Sequence, residues 1–531
     1  MEQPVSHIPY GKTGYFSQLV IDFLAEHPNL RPFYKYSPVN PDFETVIQAK
    51  KLFPQQRDIL VAALQEQYEG LDITEHVRNN INSLLDQQTF TITTAHQPNI
   101  FTGYLYFVYK ILQTIKLADN LRSQYPQYNF VPVYYMGSED ADLDELGHIY
   151  IDGKTITWPT DQQGAVGRMQ PEGFEELIGK VEAALGYGAY ADELIGLLKK
   201  AYLGHSNIQD ATLYLVNELF GRYGLVVLIP DNPKLKKLFV PVMRDELFNQ
   251  HSYRIVNETI EQLSKHHKVQ ANPREINLFY LTETSRERIV QVGDSWKVLH
   301  LPVEFTADSL EKELEEHPER FSPNVILRGM LQETILPNIA FIGGGGEIAY
   351  WLELQQLFAY YRVPFPALIL RNSFLLTDGF SQERLRKLGL NVTDLFEDTE
   401  ELVNRFVQEH TNAALVLKDE YAAVEKLFDD LVTKARGIDV TLEASVAAER
   451  TRAVKSIGKL EHKFLRAEKK KFGWQTEQIR NLKARLFPAN SLQERKENFM
   501  PWYVHQGPAF FDVLLEHLDP LSDQFGIIYQ Q

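Results

Sequence analysis

Strand-forming runs that alternate with helix-forming runs are the feature that most constrains the fold of this chain. The run TFTITTA, from Thr89, is followed by the helical run YLYFVYKILQTIKLADNLRSQ and then by NFVPVYYMG, from Asn129. The last run is apolar enough to be buried on both faces, which is typical of a strand inside a parallel sheet. The three runs therefore predict a β-α-β unit with a right-handed crossover.

The same alternation recurs further along the chain. A strand, a turn and a helix are predicted from Gly221, and a helix, the strand NIAFIG, a glycine turn and another helix from Asn324. PFPALILR is a further strand, whereas residues 1–88 have mostly helical spacing. Strands that alternate with helices predict an α/β fold with a mostly parallel sheet. Residues at about 151–220 and 250–322 are predicted to be insertions around that sheet.

Strand patterns stop after about Gly379, and apolar residues then recur at intervals of three and four. They are Leu427, Leu431, Ala435, Ile438 and Leu442, then Ile457, Leu460, Phe464 and Ala467, then Ile479, Leu482 and Leu486. This spacing predicts long helices that form an antiparallel coiled-coil arm, with an ordinary helical bundle as the alternative. We therefore expect a core at 1–378, a helical domain at 379–487 and a C-terminal segment at 488–531 that packs on the core.

Composition excludes several classes of function. With 531 residues the chain is too long for one simple core. Its formal net charge of -17 gives a surface that repels nucleic acid and anionic membranes. The chain has no cysteine, which excludes disulfides, thiolate metal sites and a cysteine nucleophile. No signal peptide and no run of about 18 apolar residues is visible, so we expect a cytoplasmic protein.

Polar residues follow the first strand at the point where it leads into a helix. His96 and Gln97 end the strand, Pro98 holds the turn, and Gly103 lets the backbone approach a ligand. A histidine there can protonate a leaving group or donate to a phosphate, and glutamine can donate beside it. A lone histidine is also compatible with a purely structural role.

An acidic stretch, SEDADLDELGH at 138–148, follows the second strand. Its six candidate ligands are Glu139, Asp140, Asp142, Asp144, Glu145 and His148. It does not match a calcium loop, because Glu145 stands where glycine is needed and Ile151 where the bidentate glutamate is needed. At the carboxyl end of a buried strand, these carboxylates can bind an amino group, hold Mg²⁺ or act as a general base. The alternative is a solvated acidic loop.

A run of four glycines, Gly343–Gly346, and Glu347 follow the strand NIAFI and precede another helix. Such a run lets backbone N–H groups approach an anion or a flat ring, and it places Glu347 to take a ribose hydroxyl or an amino group. A tight turn is the alternative, and the dinucleotide fingerprint is absent. Arg328, Gln332 and Arg371 lie near other strands. The two arginines are candidates to supply positive charge and the glutamine to donate a hydrogen bond, with ordinary surface or paired side chains as the alternative.

Taken together, these stretches resemble one family. HQPNIFTGYLYFVYKILQTIKLA, VPVYYMGSEDADLDELGHIY and LRGMLQETILPNIAFIGGGGEIAYW are similar to the bacillithiol biosynthesis cysteine-adding enzyme family, BshC, and so are LEHKFLRAEKKK, LFPANSLQER and YVHQGPAF. The similarity spans nearly the whole chain in the same order. His96 stands where that family often has glutamine.

The resemblance implies a Rossmann-like core with connecting insertions and a coiled-coil arm that forms a homodimer. The implied reaction joins the carboxyl group of cysteine to the amine of glucosaminyl-malate, with ATP or another nucleotide for activation and Mg²⁺ left open. The residues expected to serve are His96, Glu139, Asp140 and Asp142 for catalysis, and Gln97, Gly103, Arg328, Gln332, Gly343, Gly344, Gly345, Gly346, Glu347, Tyr350 and Arg371 for binding substrate or nucleotide.

Two other functions are compatible with the same residues. The first is a nucleotidyltransferase with a different small-molecule acceptor, in which the carboxylates would hold Mg²⁺. The second is a nucleotide-binding dimer without catalytic activity, whose arm docks a partner.

Overall fold

The computed structural model describes residues 5–411 and 415–530. These residues fall into two compact units. The first, here called the core unit, comprises residues 5–375 and 491–528, and the second, the arm unit, consists mainly of the described residues between 376 and 490. The core unit is thus built from two separate stretches of chain.

Fifteen strands lie within the described ranges. They are β1 (Val5–Pro9), β2 (Thr89–His96), β3 (Asn129–Met136), β4 (His148–Ile151), β5 (Lys154–Thr157), β6 (Val226–Leu228), β7 (Leu278–Leu281), β8 (Arg286–Val292), β9 (Ser295–Val298), β10 (Val303–Thr306), β11 (Phe321–Pro323), β12 (Asn338–Gly343), β13 (Ala367–Leu370), β14 (Phe374–Thr377) and β15 (Gln524–Tyr529).

Helices account for most of the remaining regular structure. They are α1 (Gln18–Leu24), α2 (Phe43–Lys51), α3 (Arg57–Gln67), α4 (Glu75–Ser83), α5 (Tyr106–Gln124), α6 (Leu143–Leu146), α7 (Phe174–Leu185), α8 (Ala191–Gly204), α9 (Ile208–Phe220), α10 (Pro233–Lys237), α11 (Val240–Asn249), α12 (His251–Leu263), α13 (Ala307–Glu316), α14 (Val325–Ile335), α15 (Gly345–Trp351), α16 (Gln355–Tyr361), α17 (Gly379–Leu388), α18 (Thr399–His410), α19 (Lys418–Ile438), α20 (Glu443–Lys471), α21 (Gly473–Leu486), α22 (Met500–Gln506) and α23 (Ala509–His517).

The core unit is organised around a five-stranded sheet in the order β13-β12-β2-β3-β6. Each neighbouring pair in this sheet is parallel, which confirms the predicted α/β fold. His96 of β2 lies opposite Met136 of β3, and Gly343 of β12 lies opposite Leu370 of β13. The carboxyl ends of the four strands therefore meet at one edge, where ligands bind in open α/β sheets.

Three further sheets are formed by the described residues outside the central sheet. The predicted insertion at about 250–322 contains an antiparallel sheet in the order β10-β9-β8-β7-β11, whereas the one at about 151–220 is mainly α7, α8 and α9. The N-terminal residues are less uniformly helical than predicted, because β1 precedes α1 and pairs antiparallel with β15. That partner lies at the other end of the chain, so local spacing carried no sign of the pairing.

The arm unit contains the predicted antiparallel coiled coil. Two contacts between α19 and α20 show that the helices run in opposite directions. Arg450 forms an ion pair with Glu425 at 3.0 Å, while Tyr421 donates a hydrogen bond to Glu461 at 3.2 Å. The predicted apolar positions are only partly covered within one chain. Ala435 is buried, but Leu427 is 55% exposed and Ile438 is 80% exposed.

No helix among the described residues is long and apolar enough to cross a membrane. The apolar residues of the core unit instead pack around the parallel sheet. Phe90, Ile92 and Phe130 of the strands form one buried cluster with Leu117 and Leu121 of α5. This packing explains why β2 and β3 have almost no polar side chains that reach solvent.

A buried polar network lies at the amino ends of β2 and β12, opposite the carboxyl edge. Asn338 accepts hydrogen bonds from Thr93 at 2.8 Å and from Thr91 at 3.2 Å, and it donates to Glu333 at 2.6 Å. Lys50 of α2 donates to the Glu333 carbonyl at 2.7 Å, and its Nζ lies 3.5 Å from the carboxylate. The register between β2 and β12 shifts at this point, so the network fixes the strands across a bulge.

We predict that Lys50→Met destabilises the core unit by about 3–5 kcal/mol, because it leaves Glu333 buried without its counter-charge. Burial raises the pKa of Glu333, so its neutral form is favoured in the fold and the loss should shrink as the pH falls. Denaturant unfolding of the core unit measures the effect. The control is Lys51→Met, since Lys51 is exposed and its loss should change stability little; equal effects of the two variants would contradict the prediction.

Candidate functional site

A cavity of about 610 Å³ opens at the carboxyl edge of the central sheet. Ten of the residues predicted from the sequence line it: His96, Gln97, Asp140, Arg328, Gly344, Gly345, Gly346, Glu347, Tyr350 and Arg371. They come from stretches more than 200 residues apart in the chain. The parallel register brings them to one place. The position of most of them at the end of a strand or the start of a helix predicted this, whereas Tyr350 was expected from the family resemblance.

His96 ends β2 and lies in the wall of the cavity. The side chain is only 9% exposed, and its Nε2 has no hydrogen-bond partner among the described residues. The ring packs edge-on against Tyr106, with 5.4 Å between the ring centroids. Burial holds the pKa of His96 well below its usual value, and the charges of Lys110 and Arg371 lower it further. The imidazole is therefore neutral near pH 7.

Lys110 projects from α5 into the same wall and is buried. Its Nζ donates to the Ala95 carbonyl at 2.7 Å and lies 2.5 Å from Oε2 of Glu347. Glu347 also accepts the backbone N–H of Gly344 at 2.8 Å. Burial lowers the pKa of Lys110, and Glu347 offsets that effect. The glycine turn and the helix α5 are thereby joined by a charged contact.

Asp140 lies between two arginines on the other side of the cavity. It forms a bidentate pair with Arg328, whose NH1 donates at 2.8 Å, and NH1 of Arg286 lies 3.8 Å away. Burial alone would raise the pKa of Asp140, but Arg328 outweighs it and keeps the pKa below its usual value. Burial lowers the pKa of Arg286 to about 10, so this guanidinium stays charged at neutral pH.

Arg371 follows β13, and its guanidinium binds Glu494 in the C-terminal stretch of the core unit. Its NH2 donates to Glu494 at 2.7 Å, and Glu494 also accepts from Ser373 at 3.0 Å and from the Phe374 N–H at 3.2 Å. The guanidinium lies over the ring of Tyr106 at 5.1 Å. Arg371 is 4% exposed, and its Nε has no partner among the described residues.

Five other predicted residues do not line the cavity. Glu139 is buried, forms an ion pair with Lys236 and accepts from Ser322 at 3.1 Å. Asp142 is exposed and caps α6 through the N–H of Glu145 at 3.2 Å. These two carboxylates therefore have structural partners away from the cavity.

The remaining three residues are held by packing or by buried hydrogen bonds. Gly103 has a φ of 68°, and a Cβ there would lie 2.8 Å from Cβ of Asn99, so only glycine fits the turn. Gln332 donates to Glu333 at 2.9 Å within the buried network. Gly343 is the last residue of β12, where a Cβ would lie 2.7 Å from the ring of Phe341.

Glu145, one of the candidate ligands in the acidic stretch, lines the cavity as well. Several residues that were not predicted also line it, namely Tyr106, Lys110, Gln270, Arg286, Asn324 and Arg495. Lys110 had a signal in the sequence, because it is the only charged residue between Tyr104 and Ile115. Arg286 had none, since it comes from the antiparallel sheet and reaches the cavity only through the tertiary fold.

The cavity carries an excess of positive charge. Lys110, Arg286, Arg328, Arg371 and Arg495 line it against three carboxylates, those of Asp140, Glu145 and Glu347. The difference of five cations and three anions favours an anionic ligand, although the chain as a whole is acidic. Within residues 5–411 and 415–530, no group of three His, Asp or Glu side chains is placed to hold a metal ion.

Comparison with known proteins places this arrangement in a family. The family model described as "Bacillithiol biosynthesis BshC, N-terminal Rossmann-like domain" matches residues 3–372. The model described as "Bacillithiol biosynthesis BshC, C-terminal coiled-coil domain" matches residues 374–530. The two matches agree with the parallel sheet of the core unit and the antiparallel helices of the arm unit.

Curated relatives extend over the full chain. A protein of Flavobacterium johnsoniae is 41% identical over 527 residues, and the match covers 99% of each chain. A protein of Cytophaga hutchinsonii is 36% identical over 508 residues, which covers 96% of this chain and 95% of that one. Both carry the name "Putative cysteine ligase BshC". By both family models and by these relatives, the chain belongs to the BshC family of bacillithiol biosynthesis.

Proposed function

We propose that the protein is a ligase that joins the carboxyl group of cysteine to the amine of glucosaminyl-malate, as the last step of bacillithiol biosynthesis. The names of the relatives support a cysteine ligase. The observation that carries the proposal is the pair of buried, unpartnered nitrogens, Arg371 Nε and His96 Nε2, in a cavity with excess positive charge. Buried polar atoms are normally paired, so these two indicate a place for a ligand oxygen.

A free carboxylate does not form an amide without activation, and a bound ATP or other nucleotide would supply a phosphate leaving group. The residues present fit such a group. Arg371 can donate from Nε to an anionic oxygen while Glu494 keeps the guanidinium in place. His96, being neutral, can share a hydrogen bond with the same group, and Lys110 adds a buried positive charge.

Two further features agree with these substrates. Glucosaminyl-malate carries carboxylates on its malate part, and these match the sign of the charge in the cavity. A chain without cysteine also forms no mixed disulfide with a thiol substrate or product.

The carboxylates considered for Mg²⁺ do not fit a metal site on their own. Glu139 is paired with Lys236, and Asp140 with Arg328, so each already has a cationic partner. The proposed reaction therefore assigns both carboxylates to ion pairs, that of Asp140 in the cavity wall and that of Glu139 outside it, rather than to a metal ion.

We also propose that the protein forms a homodimer through the arm unit. The apolar positions of α19 and α20 that stay exposed in one chain include Leu427, Leu431 and Phe464. They continue the three- and four-residue spacing that is typical of coiled coils, so a second copy could cover them.

Purified protein is expected to form the thiol product, detected by mass, from cysteine, glucosaminyl-malate and ATP, with each other nucleoside triphosphate tested in parallel.

The variant Arg371→Lys keeps the positive charge but removes the planar guanidinium group and its Nε donor. Loss of a hydrogen bond to a charged group costs about 1.5–3 kcal/mol, so we predict a fall in kcat/KM of roughly 10- to 100-fold. The control is Arg78→Lys on the exposed surface of α4, and equal activity of the two variants would contradict the role of Arg371.

The homodimer is tested with Leu427→Glu/Leu431→Glu, which places charge on the exposed face of α19. We predict that analytical ultracentrifugation finds a dimer for the wild type and a monomer for this variant, because buried unpaired carboxylates oppose association. Leu52→Glu is the matched control, since Leu52 is 88% exposed and lies in the core unit. A wild-type monomer, or a variant that stays dimeric, would reject the arm as the interface.

A further inference from the structure

The proposed ligase reaction requires a group that accepts a proton from the amine. An amine of this kind is largely protonated at neutral pH, and an ammonium has no lone pair with which to attack a carbonyl carbon. A carboxylate that lines the cavity can hold the ammonium and take its proton. Three carboxylates line the cavity, those of Asp140, Glu145 and Glu347, and they differ in their partners.

Two of the three are already neutralised by cations. Asp140 is held by both nitrogens of the Arg328 fork, with Arg286 nearby. Glu347 is paired with Lys110 and bonded to a backbone N–H of the glycine turn. Either would have to give up a buried ion pair before it could bind an ammonium, which is costly.

Glu145 has no such partner. Its carboxylate forms no ion pair with any described residue, and it is exposed to solvent while lining the cavity. Its backbone N–H donates to the cap residue Asp142 at 3.2 Å, which fixes the short helix α6 that carries it. The side chain is therefore free to meet a ligand, although its position is set by a capped turn.

The surroundings of Glu145 strengthen it as a base. Glu145 is exposed at its outer side, but partial desolvation raises its pKa, the charges of Asp142 and Asp140 raise it further, and His148 acts in the opposite direction. Burial raises the pKa of Tyr104 and of Tyr106, and the charge of Glu145 raises both further. A carboxylate with acidic neighbours and no cation gains from binding a positive group.

We propose that Glu145 binds the ammonium of the acceptor and takes its proton, a role that rests on the proposed ligase function. In this step the N–H bond breaks and the proton moves to the Glu145 carboxylate. The nitrogen lone pair then forms the C–N bond to the activated carboxyl carbon, while the C–O bond to phosphate breaks and phosphate leaves with the electron pair. The nitrogen releases its second extra proton, and Glu145 returns its own to solvent.

The test compares Glu145→Gln with Asp144→Asn, a neighbouring exposed acidic residue outside the cavity wall. General bases contribute typically 10²–10⁴-fold, so kcat/KM for glucosaminyl-malate should fall by about 100-fold or more in Glu145→Gln. Asp144→Asn should keep wild-type activity. Equal activity of the two variants would overturn the role of Glu145 while leaving the ligase function standing.

Hydroxylamine separates proton removal from activation. It is unprotonated at neutral pH and needs no base, so Glu145→Gln should form cysteine hydroxamate as fast as the wild type. Loss of hydroxamate formation in this variant would overturn the proposal, because Glu145 would then be needed for the activation of the carboxyl group, which precedes the attack by the amine. If the wild type forms neither amide nor hydroxamate with any nucleotide, the ligase function fails and the role of Glu145 fails with it.

The pH profile gives a second readout. Wild-type kcat/KM for the acceptor should fall as the pH drops through the raised pKa of Glu145 and level off above it. Glu145→Gln can use only the fraction of acceptor that is already unprotonated, so its activity should keep rising with pH and its deficit relative to the wild type should narrow. Parallel profiles of the two proteins would overturn the proposal.

Discussion

The parallel register of β2 and β12 is the constraint on which the cavity depends. A shift by one residue would move every side chain of a strand to the opposite face and displace His96 from the glycine turn. The register changes once, near Asn338, and the buried side chains of Thr91, Thr93 and Glu333 hold Asn338 there. A polar network at one edge of the sheet thus determines what meets at the other edge.

The cavity is preorganised by charges that balance each other in pairs. Arg371 has Glu494 behind it, Lys110 has Glu347 and Arg328 has Asp140, so most of the cations are fixed before any ligand arrives. Fixed donors need little rearrangement to stabilise an anion, which is how enzymes commonly gain rate. Glu145 is the exception among the carboxylates, because it has no such pair.

The sequence predicted the strands of the central sheet and the edge at which the site lies, because β-branched and apolar runs indicate burial directly. It also predicted the glycine turn and ten of the lining residues, most of them from their places near strands and Tyr350 from the family resemblance. It did not predict which residues form ion pairs with the candidate site residues. Lys236 lies 97 residues from Glu139, and Glu494 lies 123 residues from Arg371, so neither pairing leaves a local pattern. For that reason the sequence predicted Glu139 as a functional residue, although its carboxylate is buried in an ion pair with Lys236.

Glu494 belongs to the stretch at 491–528, which rejoins the core unit after the arm unit has intervened in the chain. Domains generally form from the N-terminus onward as the ribosome delivers the chain. Here β13, which ends at Leu370, would emerge from the ribosome well before Glu494, whose carboxylate binds the guanidinium of Arg371. A nascent or truncated chain that stops short of this stretch would therefore hold the sheet without a finished cavity, so synthesis of the arm precedes any competence for chemistry.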